Sequence, residues 1–483
     1  LGGLSKRAYQ LEEIRNLHAV PYLTLDAGNL LFKQENFQPA MLEQAKITAE
    51  AIIESYNLMK YDAVAVGKHD LAAGLSFLEK QVAHSKFQWL SANLVRKSTG
   101  KPVFQASMIR QAGNIRIGII GITGDDANIL LRPDKDAILL PWKDILPDIA
   151  SKLASQCDLL ILLSNNPSRI NQEIADSLAD INLIIQATPR SDNSAPQLVN
   201  NSIITQTGKQ GKYFGWMAIN WQDSKTWAHP GAAKELATTK QELDGINGRI
   251  SRIERKTAKE NLITDSRYQK LIAAREEILS RIVFLENEQV VDLTQSPSTF
   301  ENYFISLAAD LPDQPDVQAI VETAKLKVNE TGRSKASSRT MNSSAAAGNM
   351  ETLPFIGWEP CATCHAPQTD FWRNTAHFSA YKTLVLGNQQ YNLVCLPCHV
   401  TAEFGTTKID GNDSALLSLQ PGLQLVGCEV CHGPGRRHAA NADPAFISRK
   451  PMASICLRCH TNERDPSFNY DNDVKQIACP AGK

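Results

Sequence analysis

Four Cys-x-x-Cys-His pentapeptides stand in the last third of a 483-residue chain: Cys361–His365, Cys395–His399, Cys428–His432 and Cys456–His460. In each, two thiols are spaced to add to the vinyl groups of a haem, and the next residue is a His placed to ligate its iron. The attaching cysteines are then Cys361, Cys364, Cys395, Cys398, Cys428, Cys431, Cys456 and Cys459. The proximal ligands are His365, His399, His432 and His460. Four-cysteine zinc sites also use paired Cys-x-x-Cys, but they gain nothing from a His after every pair. The pattern predicts four c-type haems as cofactors, in an iron-bearing protein that handles electrons.

A second axial ligand is the next requirement. Of 10 His in the chain, only His377 and His438 lie in the haem-bearing region outside the motifs, and both are candidate distal ligands. Two irons are then short of an in-domain imidazole. Weaker candidates are His18, His69, His84, His229 and Met452; a His from another copy or an open iron would also answer. A Met ligand would raise the potential relative to a second His. Gly433-Pro434-Gly435 is expected to turn the chain tightly before His438. Trp358, Phe371, Trp372, Tyr381 and Tyr391 are expected to pack on porphyrin faces and edges.

The elements that position these residues divide the chain into several parts. Residues 1–230 alternate apolar strand-like runs (Pro21–Asp26, Ala63–Val66, Ile115–Ile122, Leu159–Leu163, Leu183–Gln186) with helical patterns at 40–60 and 169–180, which predicts a layered α/β domain. Residues 231–291 carry Leu243, Ile246, Ile250 and Ile253, then Leu271, Ile272, Ile278, Leu279, Ile282 and Leu285, and read as a long helical hairpin. It either packs on itself as a coiled coil or serves as a docking arm. Residues 292–330 read as a return segment of the α/β domain. The Ser/Ala-rich stretch 331–350 reads as a flexible linker. Residues 351–483 form a mostly α/loop haem domain, with too little polypeptide per motif for a separate core around each haem.

Composition narrows the function classes. A formal net charge of −1 argues against nucleic acid and against a polybasic membrane contact. No run of 18 or more apolar residues appears, so no membrane span is expected. No signal peptide is visible. Haem attachment of this type takes place on the exported side of a membrane, so a cleaved leader is expected upstream, with work in the periplasm or at the cell surface of a prokaryote. Cys157 opens the apolar run CDLLILLS and reads as a buried thiol, whereas Cys479 has no evident role.

The segments LTLDAGN (23–29), YDAVAVGKHD (61–70), LSANL (90–94), IRIGIIGITG (115–124), LLILLSNN (159–166) and INLIIQATPR (181–190) resemble the 5′-nucleotidase-type metallophosphoesterases, which include a thiosulfate-processing hydrolase. The resemblance implies that fold. That family binds two metal ions with carboxylate, Asn and His ligands. Here the bridging Asp is Asn29, the Asn of Gly-Asn-His-Asp is Lys68, the His after Ser164 is Asn165, and the closing Gly-His-x-His falls on Thr188 and Arg190. Only His69 and Asp70 remain of the central set, and the family's first Asp-x-His would lie before residue 1. An ammonium at Lys68 repels a divalent cation. The departures imply a degenerate metal site, no phosphoesterase activity and no catalytic residues there.

The segments FWRNTAHFSAY (371–381), YNLVCLPCHV (391–400), VGCEVCHGPGRRHA (426–439) and CLRCHTNERDPSFNY (456–470) resemble the tetrahaem cytochromes typified by the nitrifier protein that accepts electrons from hydroxylamine oxidoreductase. This resemblance implies closely stacked haems, mostly with two His ligands, one of which can be left five-coordinate. The leading expectation is an electron carrier. Its partners would be redox proteins or other copies of itself, in a homo-oligomer that can extend to a filament, with the phosphoesterase-like domain as scaffold. A redox enzyme acting on a small nitrogen or sulfur species at an open haem is the first alternative. An anion-binding redox sensor with its anion near Lys68 and Arg190 is the second.

Overall fold

The computed structural model describes residues 3–131, 134, 136–189, 192–228, 232–255, 262, 265–288, 297–308, 310–343, 354–402, 413–461, 464, 465 and 467–480. Arg190 and His229 lie outside the described residues.

Strands and helices alternate through the first half: α1 (Leu4–Leu17), β1 (Leu25–Asp26), α2 (Pro39–Leu58), β2 (Ala63–Ala65), α3 (Leu75–Val82), β3 (Gln88–Leu90), β4 (Leu94–Arg96), β5 (Ser107–Ala112), β6 (Ile115–Ile122), β7 (Ala137–Leu139), α4 (Trp142–Ala154), β8 (Leu159–Ser164), α5 (Ser168–Ser177), β9 (Leu183–Gln186), β10 (Ser194–Val199), β11 (Ser202–Gln206) and β12 (Tyr213–Asn220). Strands β1, β2 and β3 form a parallel sheet. A second, mixed sheet has the order β10-β11-β9-β8-β6-β5, parallel in the middle and antiparallel at both edges.

The two sheets lie face to face, and the period of two in the sequence explains how. Ile117, Ile119, Leu159, Ile161 and Leu163 meet Ala63, Ala65 and Leu90 between the sheets. Their neighbours Ile120, Ile122, Leu160 and Leu162 turn outward under α4 and α5. Strand β8 is therefore apolar without alternation, LLILLS, and buried at every position. Helices α1, α2 and α3 cover the free face of the smaller sheet through Ala8, Leu11, Ile53, Tyr56 and Leu78. The run Pro21–Asp26 yields a strand only at Leu25–Asp26.

Helices α6 (Ala232–Glu254) and α7 (Ser266–Glu288) pack on each other, burying Ile246, Ile250 and Ile282. Strand β13 (Thr299–Ser306) follows and pairs antiparallel with β12 from Tyr213↔Ser306 to Asn220↔Thr299. The helical pair is thus an insertion between two adjacent strands.

Helix α8 runs Pro315–Ser343 and corrects the linker reading of 331–350 over its first part; 344–350 lie outside the described residues. Ser and Ala read as linker by composition, but Ala is the strongest helix former. The helix is anchored upstream by Val317, Val321, Ala324 and Val328, all buried at helical spacing. Its serines return their hydroxyls to the helix, as Ser337 Oγ does to Arg333 O.

The remaining chain is short helices and loops: α9 (Glu359–Ala362), α10 (Ala366–Arg373), α11 (Ala380–Leu386), α12 (Leu396–His399), α13 (Cys428–His432), α14 (Arg436–Asn441), α15 (Ala453–Cys456) and α16 (Tyr470–Ile477). Among the described residues, no helix is long and apolar enough to cross a membrane.

Candidate functional site

Each pentapeptide makes one helical turn. Backbone bonds close it, Cys364 N–H to Cys361 O at 3.2 Å, Cys398 N–H to Cys395 O at 3.2 Å and Cys459 N–H to Cys456 O at 3.1 Å. A spacing of three in a helix puts both thiols on one face, as attachment to one porphyrin requires. None of the eight cysteines is paired in a disulfide. The turns meet in pairs: the Cys361 side chain lies beside that of Cys428, and the Cys398 side chain beside that of Cys459. The first motif thus lies beside the third, and the second beside the fourth.

The histidines are arranged as metal ligands are. His399 Nδ1 bonds Ala380 O at 2.7 Å, His432 Nδ1 bonds Ser448 O at 2.6 Å, and His460 Nδ1 bonds Asp465 Oδ2 at 2.7 Å. A ring that donates its Nδ1–H to such an acceptor keeps Nε2 for a metal, with its orientation fixed. His438 does the same toward Asp443 O at 3.0 Å.

Two pairs of imidazole rings lie close together. His365 and His438 have centres 6.1 Å apart and planes 22° apart. His377 and His460 have centres 6.2 Å apart and planes 64° apart. Imidazoles on opposite sides of one metal ion have centres about 6 Å apart, from metal–nitrogen bonds of about 2.0–2.1 Å plus about 1.1 Å from each nitrogen to its ring centre. The donor types and spacing are those that two imidazoles sharing one haem iron would have in both places. Burial, then neighbouring His460, holds His377 below the ordinary imidazole value, which favours the neutral ring that binds metal.

The other proposed ligands stand apart from these pairs. His18 stacks on Trp216 at 5.4 Å, His84 is exposed, and His69 bonds Phe32 O through Nδ1 at 2.9 Å. All three belong to the α/β domain. Met452 is 70% exposed. The aromatic residues form two groups. Trp358, Trp372 and Phe378 pack on one another, with Trp372 Nε1 donating to Val426 O, while Tyr381 and Tyr391 pack against the Leu393 cluster.

Sequence reading missed Glu429, the second residue of the third motif. It is 4% exposed and accepts from Ile356 N–H, Gly357 N–H and Gly435 N–H at 2.7–3.1 Å. This carboxylate ties the segment that leads into the first motif to the Gly433 turn, where φ is +91°. A charged residue between two attaching cysteines was the available signal.

In the α/β domain the loops after β1 and β2 meet at a cleft. Asn29, at φ +59°, accepts His69 N–H on Oδ1 at 3.0 Å and donates from Nδ2 to Ala187 O at 3.2 Å. Asn165 accepts Gly124 N–H at 2.7 Å and donates to Ala27 O and Val66 O. Thr188 Oγ1 is held by Gln206 at 2.7 Å. Lys68 Nζ pairs with Glu35 at 2.7 Å and Asp126 at 3.4 Å, and Glu35 chiefly raises its pKa. A metal pair does not fit this donor set: Lys68 brings an ammonium, and the Asn29 and Asn165 side chains are hydrogen-bonded to protein partners.

Asp70 is fully buried and accepts four backbone N–H groups, from Asn29, Leu30, Leu31 and Gly67, at 2.8–2.9 Å. Burial pushes its pKa up to about 6 against those donors. Asp70→Ala would orphan all four, and a buried unpaired donor costs about 1–3 kcal/mol. Stability to urea is expected to fall by about 3 kcal/mol or more, and a loss below about 1 kcal/mol would contradict this organising role.

Comparison with known proteins follows the same division. Residues 360–433 match the family described as cytochrome c554 and c-prime, a span that takes in the first three motifs. Protein UshA of Salmonella pullorum is 36% identical over 107 residues, 22% of this chain and 20% of that protein. The snake venom 5′-nucleotidase of Crotalus adamanteus is 24% identical over 246 residues, 46% of this chain and 40% of that protein. The sulfate thiohydrolase SoxB of Thermus thermophilus superposes with a TM-score of 0.46 at 14% identity, covering 67% of this chain and 46% of that one. The chain spans less than half the length of these relatives. It joins a 5′-nucleotidase-like metallophosphoesterase domain of α/β fold to a helical region that matches a c-type cytochrome family.

Proposed function

We propose that this chain is an exported tetrahaem cytochrome that transfers electrons outside the cytoplasm, and that its phosphoesterase-like domain is a non-catalytic scaffold. The observation that carries the reading is the closeness of His365 to His438 and of His377 to His460, at about the distance one iron needs. His377 and His438 are assigned as distal ligands, to the haems of the fourth and first motifs respectively. Haem c supplies reversible one-electron chemistry at its iron. The chain's part is to hold the rings, to tie each Nδ1 to an acceptor, and to bring the motif turns into contact. The contacts of first with third motif and second with fourth support a continuous electron path. So does the packing of α13 against α15, which joins the two pairs. Its partners are redox proteins or further copies of the chain.

The test is intact mass. The purified protein is expected to exceed its polypeptide mass by four haems, none extractable into acid acetone. Three or fewer would overturn the reading.

A second reading rests on His399 and His432, which no imidazole faces among the described residues. A substrate-accessible iron at either would make the protein a redox enzyme for a small nitrogen or sulfur species. High-spin haem in the EPR spectrum that binds such a species would favour it.

A further inference from the structure

Gln44 belongs to α2 of the phosphoesterase-like domain, is 3% exposed, and reaches the chain that leads into the second motif. Its Nε2 donates to Tyr391 O at 2.8 Å and to Val328 O on α8 at 3.2 Å. Its Oε1 accepts Leu393 N–H at 2.9 Å. Asn329, also on α8, accepts Tyr391 N–H at 2.9 Å. Side chains of one domain thus satisfy the buried peptide groups of the other, as a neighbouring strand would. Gly332 lies at the same seam, where a Cβ would run into Tyr391 O.

Apolar packing continues the contact. Leu393, Leu396 and Val400 are buried with Leu384, and Ala40 and Met41 of α2 and Ala336 of α8 pack against them. Cys395 follows Leu393 by two residues. His399 is oriented through Ala380 O, at the start of the helix that carries Leu384.

We infer that the phosphoesterase-like domain positions the haem of Cys395, Cys398 and His399, with Gln44 as the positioning residue. This rests on the haem reading above and assigns the scaffold to one haem of four. Burial and the groups that orient a ligand set a haem's potential. A seam that fixes this segment therefore fixes the potential of this haem and not of the others.

The experiment uses the full haem-loaded chain, with redox titration resolved into four components. His399→Met marks the second-motif component, because Met ligation raises its potential. Gln44→Ala and Gly332→Val are each expected to shift that component and leave the other three in place. Loss of haem confined to the Cys395–Cys398 peptide would support the inference equally. Leu146→Ala, in the separate core under α4, is expected to lower thermal stability and shift no component. Both seam variants leaving all four components unchanged would overturn the inference. So would a shift of a different component, of all four together, or of the same one in Leu146→Ala. Fewer than four haems in the unmutated protein would instead overturn the tetrahaem reading.

Discussion

Replacing His438 with alanine is expected to convert one low-spin haem to high-spin, and the haem affected is the one held by Cys361 and Cys364. His438 lies six residues beyond His432, and sequence proximity alone would assign it to the third motif. The fold assigns it otherwise. The Gly433 turn and helix α14 carry the ring back to His365, 6.1 Å away and nearly parallel. The bond from Nδ1 to Asp443 O leaves Nε2 free to bind a metal. His377→Ala is expected to do the same to the haem of Cys456 and Cys459, across 6.2 Å to His460. Each variant removes a strong-field ligand, so the change is all-or-none at one iron: a high-spin EPR signal of one haem equivalent, or recruitment of added imidazole. The double variant should show two equivalents. Unchanged spin states in both single variants would overturn both assignments. A change at a haem other than the two named, located by combining each variant with removal of one motif's cysteines, would overturn the pairing.

What was legible in the sequence is local. Four pentapeptides name their own cysteines and histidines, and a three-residue spacing on a helical turn needs no tertiary information. The apolar runs of β6, β8 and β9 were legible because both faces are buried. What was not legible is non-local. Strands β12 and β13 pair across an insertion of two helices, and nothing in either strand announces the other. The pairing of first motif with third depends on Glu429 and the Gly433 turn. The linker reading failed over 331–343 because composition reports the absence of large apolar residues. It does not report that Val317 to Val328 anchor a helix which Ser and Ala can simply prolong. The seam at Gln44 was also invisible, since a Gln on an amphipathic helix ordinarily faces water.

Nucleotides and simple phosphate esters, with manganese or zinc added, are expected to be hydrolysed at under about 1 s⁻¹, near the low end of ordinary enzymes. The reason is geometric as well as chemical. A dimetal site needs several lone pairs converging on two ions about 3.5–4 Å apart, held by carboxylate, His and amide oxygens. In this cleft Asn29 Oδ1 already accepts a backbone N–H from His69, and Asn165 Oδ1 one from Gly124. The Lys68 ammonium, ion-paired on both sides, adds positive charge where two cations would have to sit. Reversion of Lys68 to Asn alone is not expected to restore turnover. It removes the ammonium and leaves Glu35 without its partner, but supplies neither the bridging carboxylate at position 29 nor imidazoles at 165 and 188. Metal is likewise expected to give no rise in melting temperature, because a site that binds only the folded state would stabilise it by mass action. Turnover above about 1 s⁻¹, or a melting temperature that climbs with metal concentration and loses the increment in Asn29→Ala, would show that the cleft still holds metal.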